Sequence, residues 1–106
     1  MMDNKLKQQI KRIEKFRDTP SGEWQIDKEV AADGIKGLEI VHKIGLDDLK
    51  IEPTQDDSIQ FEIPSQKLVI EFFGDQLIEL YWNRCSQDIQ LDELEDTLAK
   101  RELWMN

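Results

Sequence analysis

The stretch Ser58-Ile59-Gln60-Phe61-Glu62-Ile63-Pro64-Ser65-Gln66-Lys67-Leu68-Val69-Ile70-Glu71-Phe72-Phe73-Gly74-Asp75-Gln76-Leu77-Ile78-Glu79-Leu80-Tyr81-Trp82 decides the fold. Its apolar residues alternate in three runs, 58–63, 68–73 and 77–82, separated by turn-forming residues, which is the signature of half-buried strands. If 64–67 is a four-residue loop, Ile63 faces Leu68, Phe61 faces Ile70 and Ile59 faces Phe72. If Gly74-Asp75-Gln76 is a three-residue loop, Phe72 faces Ile78, Ile70 faces Leu80 and Leu68 faces Trp82. Every member of one face is then apolar, and a one-residue slip would turn them all outward. A two-residue Gly74-Asp75 turn suits a type II′ hairpin, but it sets Glu79 against Ile70 and mixes the faces. The three-residue loop is therefore preferred.

Outward from this meander, the chain reads as helix. Leu6, Ile10, Ile13 and Phe16 form one apolar stripe, beside which Lys7, Lys11 and Lys15 recur every fourth residue. The breaker cluster Asp18-Thr19-Pro20-Ser21-Gly22 ends this basic helix, assigned to 1–17. A second helix from a cap at Asp27 would turn Val30, Ala31, Ile35, Leu38 and Val41 inward and stop at Gly45. Gly34 and Gly37 weaken it by about 1 kcal/mol each relative to alanine, and Leu38, Ile40, His42 and Ile44 also alternate as a strand would. Helix is the favoured reading. Residues 47–57 read as a polar connection. A last helix over 92–104 starts on a capping box of Asp92 and Glu95 and turns Leu94, Leu98 and Leu103 or Trp104 inward. The expected fold is α+β, one domain over 1–106 in the order α-α-β-β-β-α: a three-stranded antiparallel meander over 58–82 with helices packed on one face.

Composition narrows the function. A chain of 106 residues that is 39% hydrophobic supplies one modest core, with nothing to spare for a deep substrate cavity. The net charge is −9 and unevenly placed. Residues 1–17 carry six cations against two anions, +4, leaving eight cations against 21 anions, −13, on the rest. A field of that sign repels phosphates and attracts basic partners over a Debye length of roughly 8–10 Å. The single cysteine, Cys85, excludes an intramolecular disulfide, and no apolar run reads as a signal peptide or membrane span. A cytoplasmic protein without a membrane contact is expected.

Catalytic machinery is not legible. Glu71 and Glu79 would lie side by side on an open face, where no apolar pocket separates their pKa values for acid–base work. Cys85 and His42 are single in type, and Asn83-Arg84-Cys85-Ser86 is no nucleophile turn. Neither metal-ligand spacing nor a glycine-rich phosphate loop is present, so no cofactor and no metal are expected. Trp24 reads as a plug at the edge of the core or as an interface hot spot.

The meander predicts a second face carrying Gln60, Glu62, Val69, Glu71, Phe73, Leu77, Glu79 and Tyr81. Acidic groups framed by Phe73 and Tyr81 suit a surface that receives lysine or arginine side chains. Glu62, Glu71, Glu79, Tyr81 and Phe73 are the expected partner-binding residues. Lys7, Lys11 and Lys15 are the alternative, a nucleic-acid contact.

Trp24, the helix-like stretch to Gly45, and the runs Asp57-Ser58-Ile59-Gln60-Phe61-Glu62, Leu68-Val69-Ile70-Glu71-Phe72 and Ile78-Glu79-Leu80-Tyr81-Trp82 together resemble a group of small bacterial proteins. Their pattern is roughly W-D-G-Y-G, a helix, D-G-S-I-Q-F-E-W, L-E-I-E-I and I-E-Y. The resemblance covers about residues 20–82; Gln25-Ile26-Asp27 and Ile63 depart from it. Some of these proteins resemble immunity or antitoxin partners encoded near toxin genes. The resemblance implies an immunity protein or antitoxin, and charge complementarity to the acidic domain makes a basic, nuclease-like toxin the expected target, neutralised by binding and without catalysis. A nucleic-acid-mimicking inhibitor and a DNA-binding regulator using the basic helix are the rival readings.

Overall fold

The computed structural model describes residues 4–18, 25–82 and 84–100. In chain order these form α1 (Asn4–Asp18), α2 (Lys28–Lys43), β1 (Lys50–Pro53), β2 (Ile59–Ile63), β3 (Leu68–Gly74), β4 (Leu77–Trp82), β5 (Cys85–Gln90) and α3 (Leu94–Ala99). The sheet has five antiparallel strands in the order β1-β2-β3-β4-β5, correcting the three-stranded meander expected from the sequence. The two added strands lie at the edges. In β1 only Ile51 is buried among Lys50, Glu52 and Pro53, and in β5 only Ile89 is buried. An edge strand contributes one or two residues to the core, so it leaves no alternating pattern to read. Pairing with β2 and β4 makes these segments strands.

The central register is the one the apolar face requires. Ile59 pairs with Phe72, Phe61 with Ile70 and Ile63 with Leu68. Leu68 pairs with Trp82, Ile70 with Leu80 and Phe72 with Ile78. The β3–β4 connection differs from the expected three-residue loop. Gly74 pairs with Leu77, Phe73 is the extra residue of a bulge, and the turn is Asp75-Gln76 alone, with φ of 53° and 65°. Both central residues at positive φ make the primed kind of turn that hairpins favour. Asp33 of α2, only 8% exposed, holds it by accepting the Gln76 N–H on Oδ2 at 2.7 Å.

Both helix stripes pack as read: Ile13 of α1 and Val30, Ala31, Leu38 and Val41 of α2 join the buried sheet face in one core. The glycines that weakened the helix reading are what lets α2 approach. A Cβ on Gly34 would lie 3.3 Å from Ile13 Cδ1 and 3.4 Å from Ile59 Cγ2. A Cβ on Gly37 would lie 2.6 Å from Phe72 Cε2 and still closer to Cζ. Gly45 ends the helix at φ 86°. Phe61 and Phe72 meet beneath α2, with ring centroids 4.6 Å apart and planes tilted by 53°, an aromatic contact worth about 0.5–1.5 kcal/mol beyond area burial. Arg12 of α1 donates to the Ile51 carbonyl at 2.9 Å and tethers the helix to β1.

The last helix also needs correction. Its capping box is Gln90 with Glu93, in place of Asp92 with Glu95, and a 3-10 turn over Leu91–Glu93 precedes α3. Because β5 runs directly into the helix, the cap falls on the last strand residue. Leu94 and Leu98 are buried as read. Residues 101–104 of the expected helix, with Leu103 and Trp104, lie outside the described residues, as does Trp24.

Candidate functional site

The helices pack on one side of the sheet, and among the described residues nothing covers the other. The strand pairings arrange the open face in rows that run across the strands. One row is Lys50, Glu62, Val69, Tyr81 and Ser86. The next is Glu52, Gln60, Glu71, Glu79 and Asp88. Adjacent strands are about 4.8 Å apart, so Glu71, Glu79 and Asp88 set three carboxylates in immediate succession, with Glu52 beyond Gln60. Like charges facing across a ladder are destabilising. Phe73, Leu77 and Tyr81 stand beside this row, exposed by 41%, 48% and 38%. The expected partner-binding residues Glu62, Glu71, Glu79, Tyr81 and Phe73 therefore share one surface. Asp88 and Glu52 extend it, and both escaped the sequence reading because their strands did.

The five residues do not play one role. Glu71 is only 9% exposed. Ser58, fully buried, donates to its Oε2 at 2.6 Å, and Thr54 and Ser58 join hydroxyls. Tyr81 Oη lies 2.5 Å from Glu79 Oε1 and 3.3 Å from Glu71 Oε1. A phenol has one proton to give, and the shorter bond takes it. That bond to Glu79 holds the Tyr81 hydroxyl well above the usual tyrosine range, with burial and the Glu71 charge adding to the effect. Glu71 thus anchors the face from below, while Glu62, Glu79 and Asp88 present charge to solvent. Ser58 carried the signal for this buried anchor, because a buried carboxylate needs a hydroxyl within reach. It read instead as the first residue of the strand run 58–63.

A second acidic group lies at the start of α2. Asp75 beside it raises the Glu29 pKa, by its charge first and then by a shared hydrogen bond. Burial and the Asp27 carboxyl raise Asp57. A carboxyl whose folded pKa is raised favours the fold below its unfolded value, near 4, and that contribution is lost as pH rises through the folded pKa. At pH 7 the charges repel. Glu29→Gln is therefore expected to raise Tm at pH 7, with the gain closing below about pH 4; thermal melts across pH 3–8 read it.

Lys7, Lys11 and Lys15 are exposed on α1, in the helical layer and away from the open sheet face. Cys85 is exposed at the start of β5. His42 Nε2 pairs with Gln9 Oε1 between α2 and α1, a structural contact. Among the described residues no group of three or more His, Cys, Asp or Glu is placed to hold a metal ion. No helix among them is long and apolar enough to cross a membrane. No protein-family model, no curated protein and no solved structure matches this chain.

Proposed function

We propose that this chain is a non-catalytic acidic binding protein of the cytoplasm, an immunity protein or antitoxin that neutralises a basic, nuclease-like toxin by covering it. One observation carries the reading. An uncovered sheet face sets Glu52, Glu79 and Asp88 in one row, beside exposed Phe73, Leu77 and Tyr81, on a chain of net charge −9. Aromatic anchors ringed by charge are the composition of a protein interface. The carboxylates draw a basic partner in quickly, and the apolar side chains lose water when it docks. The resemblance to small bacterial immunity-like proteins points the same way.

Affinity capture from an extract of the native host, at low and at high salt, tests the reading. One basic protein retained at low salt and weakened by salt supports it. Capture of nucleic acid through α1 would replace it with the DNA-binding alternative. The face itself is tested by the triple variant Glu62→Lys, Glu79→Lys, Asp88→Lys. It should slow association with the captured partner by roughly 10- to 100-fold at low salt and flatten the salt dependence. Unchanged association would remove the face from the site.

A further inference from the structure

We infer that the basic partner enters in part as an extended strand added to the free edge of β5, an inference that rests on the proposed function. The two edges of the sheet are built differently. At β1, the Ile51 carbonyl is taken by Arg12 Nε at 2.9 Å, and Pro53 has no N–H to offer. Half of that edge's outward groups are thereby unavailable, one carbonyl being taken from α1 and one N–H being absent.

At β5 part of the backbone edge is open. Leu91 donates its N–H to the Gln76 carbonyl at 2.8 Å, one step beyond the Leu77–Gln90 pair. Bonded and non-bonded pairs alternate along an antiparallel ladder. Ile89, Gln87 and Cys85 therefore bond to β4, whereas Gln90, Asp88 and Ser86 turn their N–H and C=O groups away from it. The Gln90 N–H is accordingly taken by Glu93 Oε1 at 2.9 Å, closing the lower end of the edge. Ser86 and Asp88 remain, two N–H and two C=O groups with no partner among the described residues. Unpaired edge groups are a template for another strand.

Charge selects the occupant. A strand added to β5 would place a side chain directly opposite Asp88, at the end of the Glu71, Glu79 and Asp88 row. A second copy of this chain would bring its own −9 and another acidic edge, so it is disfavoured. A lysine or arginine at that position meets Asp88 and continues the row, and its neighbours two residues away extend over the open face. The edge and the face thus belong to one surface, with the ladder fixing orientation and the carboxylates fixing sign.

The probe is a ten-residue peptide alternating lysine and threonine, with two derivatives carrying backbone N-methyl groups on alternate residues, one in each phase. All three have the same charge, but one phase blocks the edge facing β5. The expected result is binding by the parent peptide and by one derivative. The blocked derivative should bind at least tenfold more weakly. Amide exchange at Ser86 and Asp88 should slow at least tenfold with the parent. Asp88→Pro removes an outward N–H, which an edge tolerates, together with the carboxylate, and should abolish the difference between phases while Tm is kept; Asp88→Asn removes the charge alone and should keep the difference. Equal binding by all three peptides would overturn strand addition and leave the proposed function standing. Failure of all three to bind would overturn both.

Discussion

Phe72→Ala is expected to cost about 3–5 kcal/mol of unfolding free energy, the range for deleting a fully buried aromatic side chain. Phe72 is 0% exposed and lies against α2, Phe61 and the core face of β2. Its ring fills the space that a Cβ on Gly37 would need. Gly37→Ala alone should therefore destabilise by about 1–3 kcal/mol, the cost of overpacking, although alanine is the better helix former by about 1 kcal/mol. In a Phe72→Ala background the same substitution loses its clash and keeps its propensity, so it should stabilise. The double-mutant cycle in urea reads this reversal of sign. Additive effects would show that α2 does not rest on Phe72 at Gly37.

The same pair explains which parts of the fold were legible. Ile59, Phe61 and Ile63 against Leu68, Ile70 and Phe72 announced both strands and register, because a buried face penalises every slip at once. The helices were legible for the same reason, through Ile13 and through Leu38 and Val41. Gly34 and Gly37 counted against α2 only because propensity is local, and the side chains that need their missing Cβ atoms come from elsewhere in the chain. β1 and β5 were hidden because each buries a single apolar residue, Ile51 or Ile89. The bulge at Phe73 was hidden because it rests on a contact from Asp33, 43 residues from Gln76.

The candidate face was legible in its residues and not in its division of labour. Glu62, Glu71, Glu79, Phe73 and Tyr81 share it, but burial separates Glu71 from the rest, and the Ser58 hydroxyl donates to it. Reversing the charge of Glu71 would strand a buried lysine against Ser58, so a loss of binding would report misfolding as readily as a lost contact. Glu62, Glu79 and Asp88 are the charges to change.

Deleting residues 1–17 should leave a chain that does not fold cooperatively at 25 °C. The basic stripe suggests a detachable arm, but α1 is part of the core. Ile13 is 0% exposed and closes over Gly34, Leu6, Ile10 and Phe16 pack against the same cluster, and Arg12 holds the β1 edge. Ile13→Asp should reach the same end with one substitution, because it removes a fully buried side chain and leaves a charge without a partner. Losses above about 4 kcal/mol are expected of such a change, against a total domain stability of only about 5–15 kcal/mol. Circular dichroism in urea reads both variants. Neither can separate a nucleic-acid role for α1 from its structural one, whereas Lys7→Glu with Lys11→Glu can. Both lysines are exposed, so the double variant should stay within about 0.5 kcal/mol of the parent. Under the proposed function it keeps its hold on the basic partner; a loss of DNA retention in the same variant would move the working surface from the sheet to the helix.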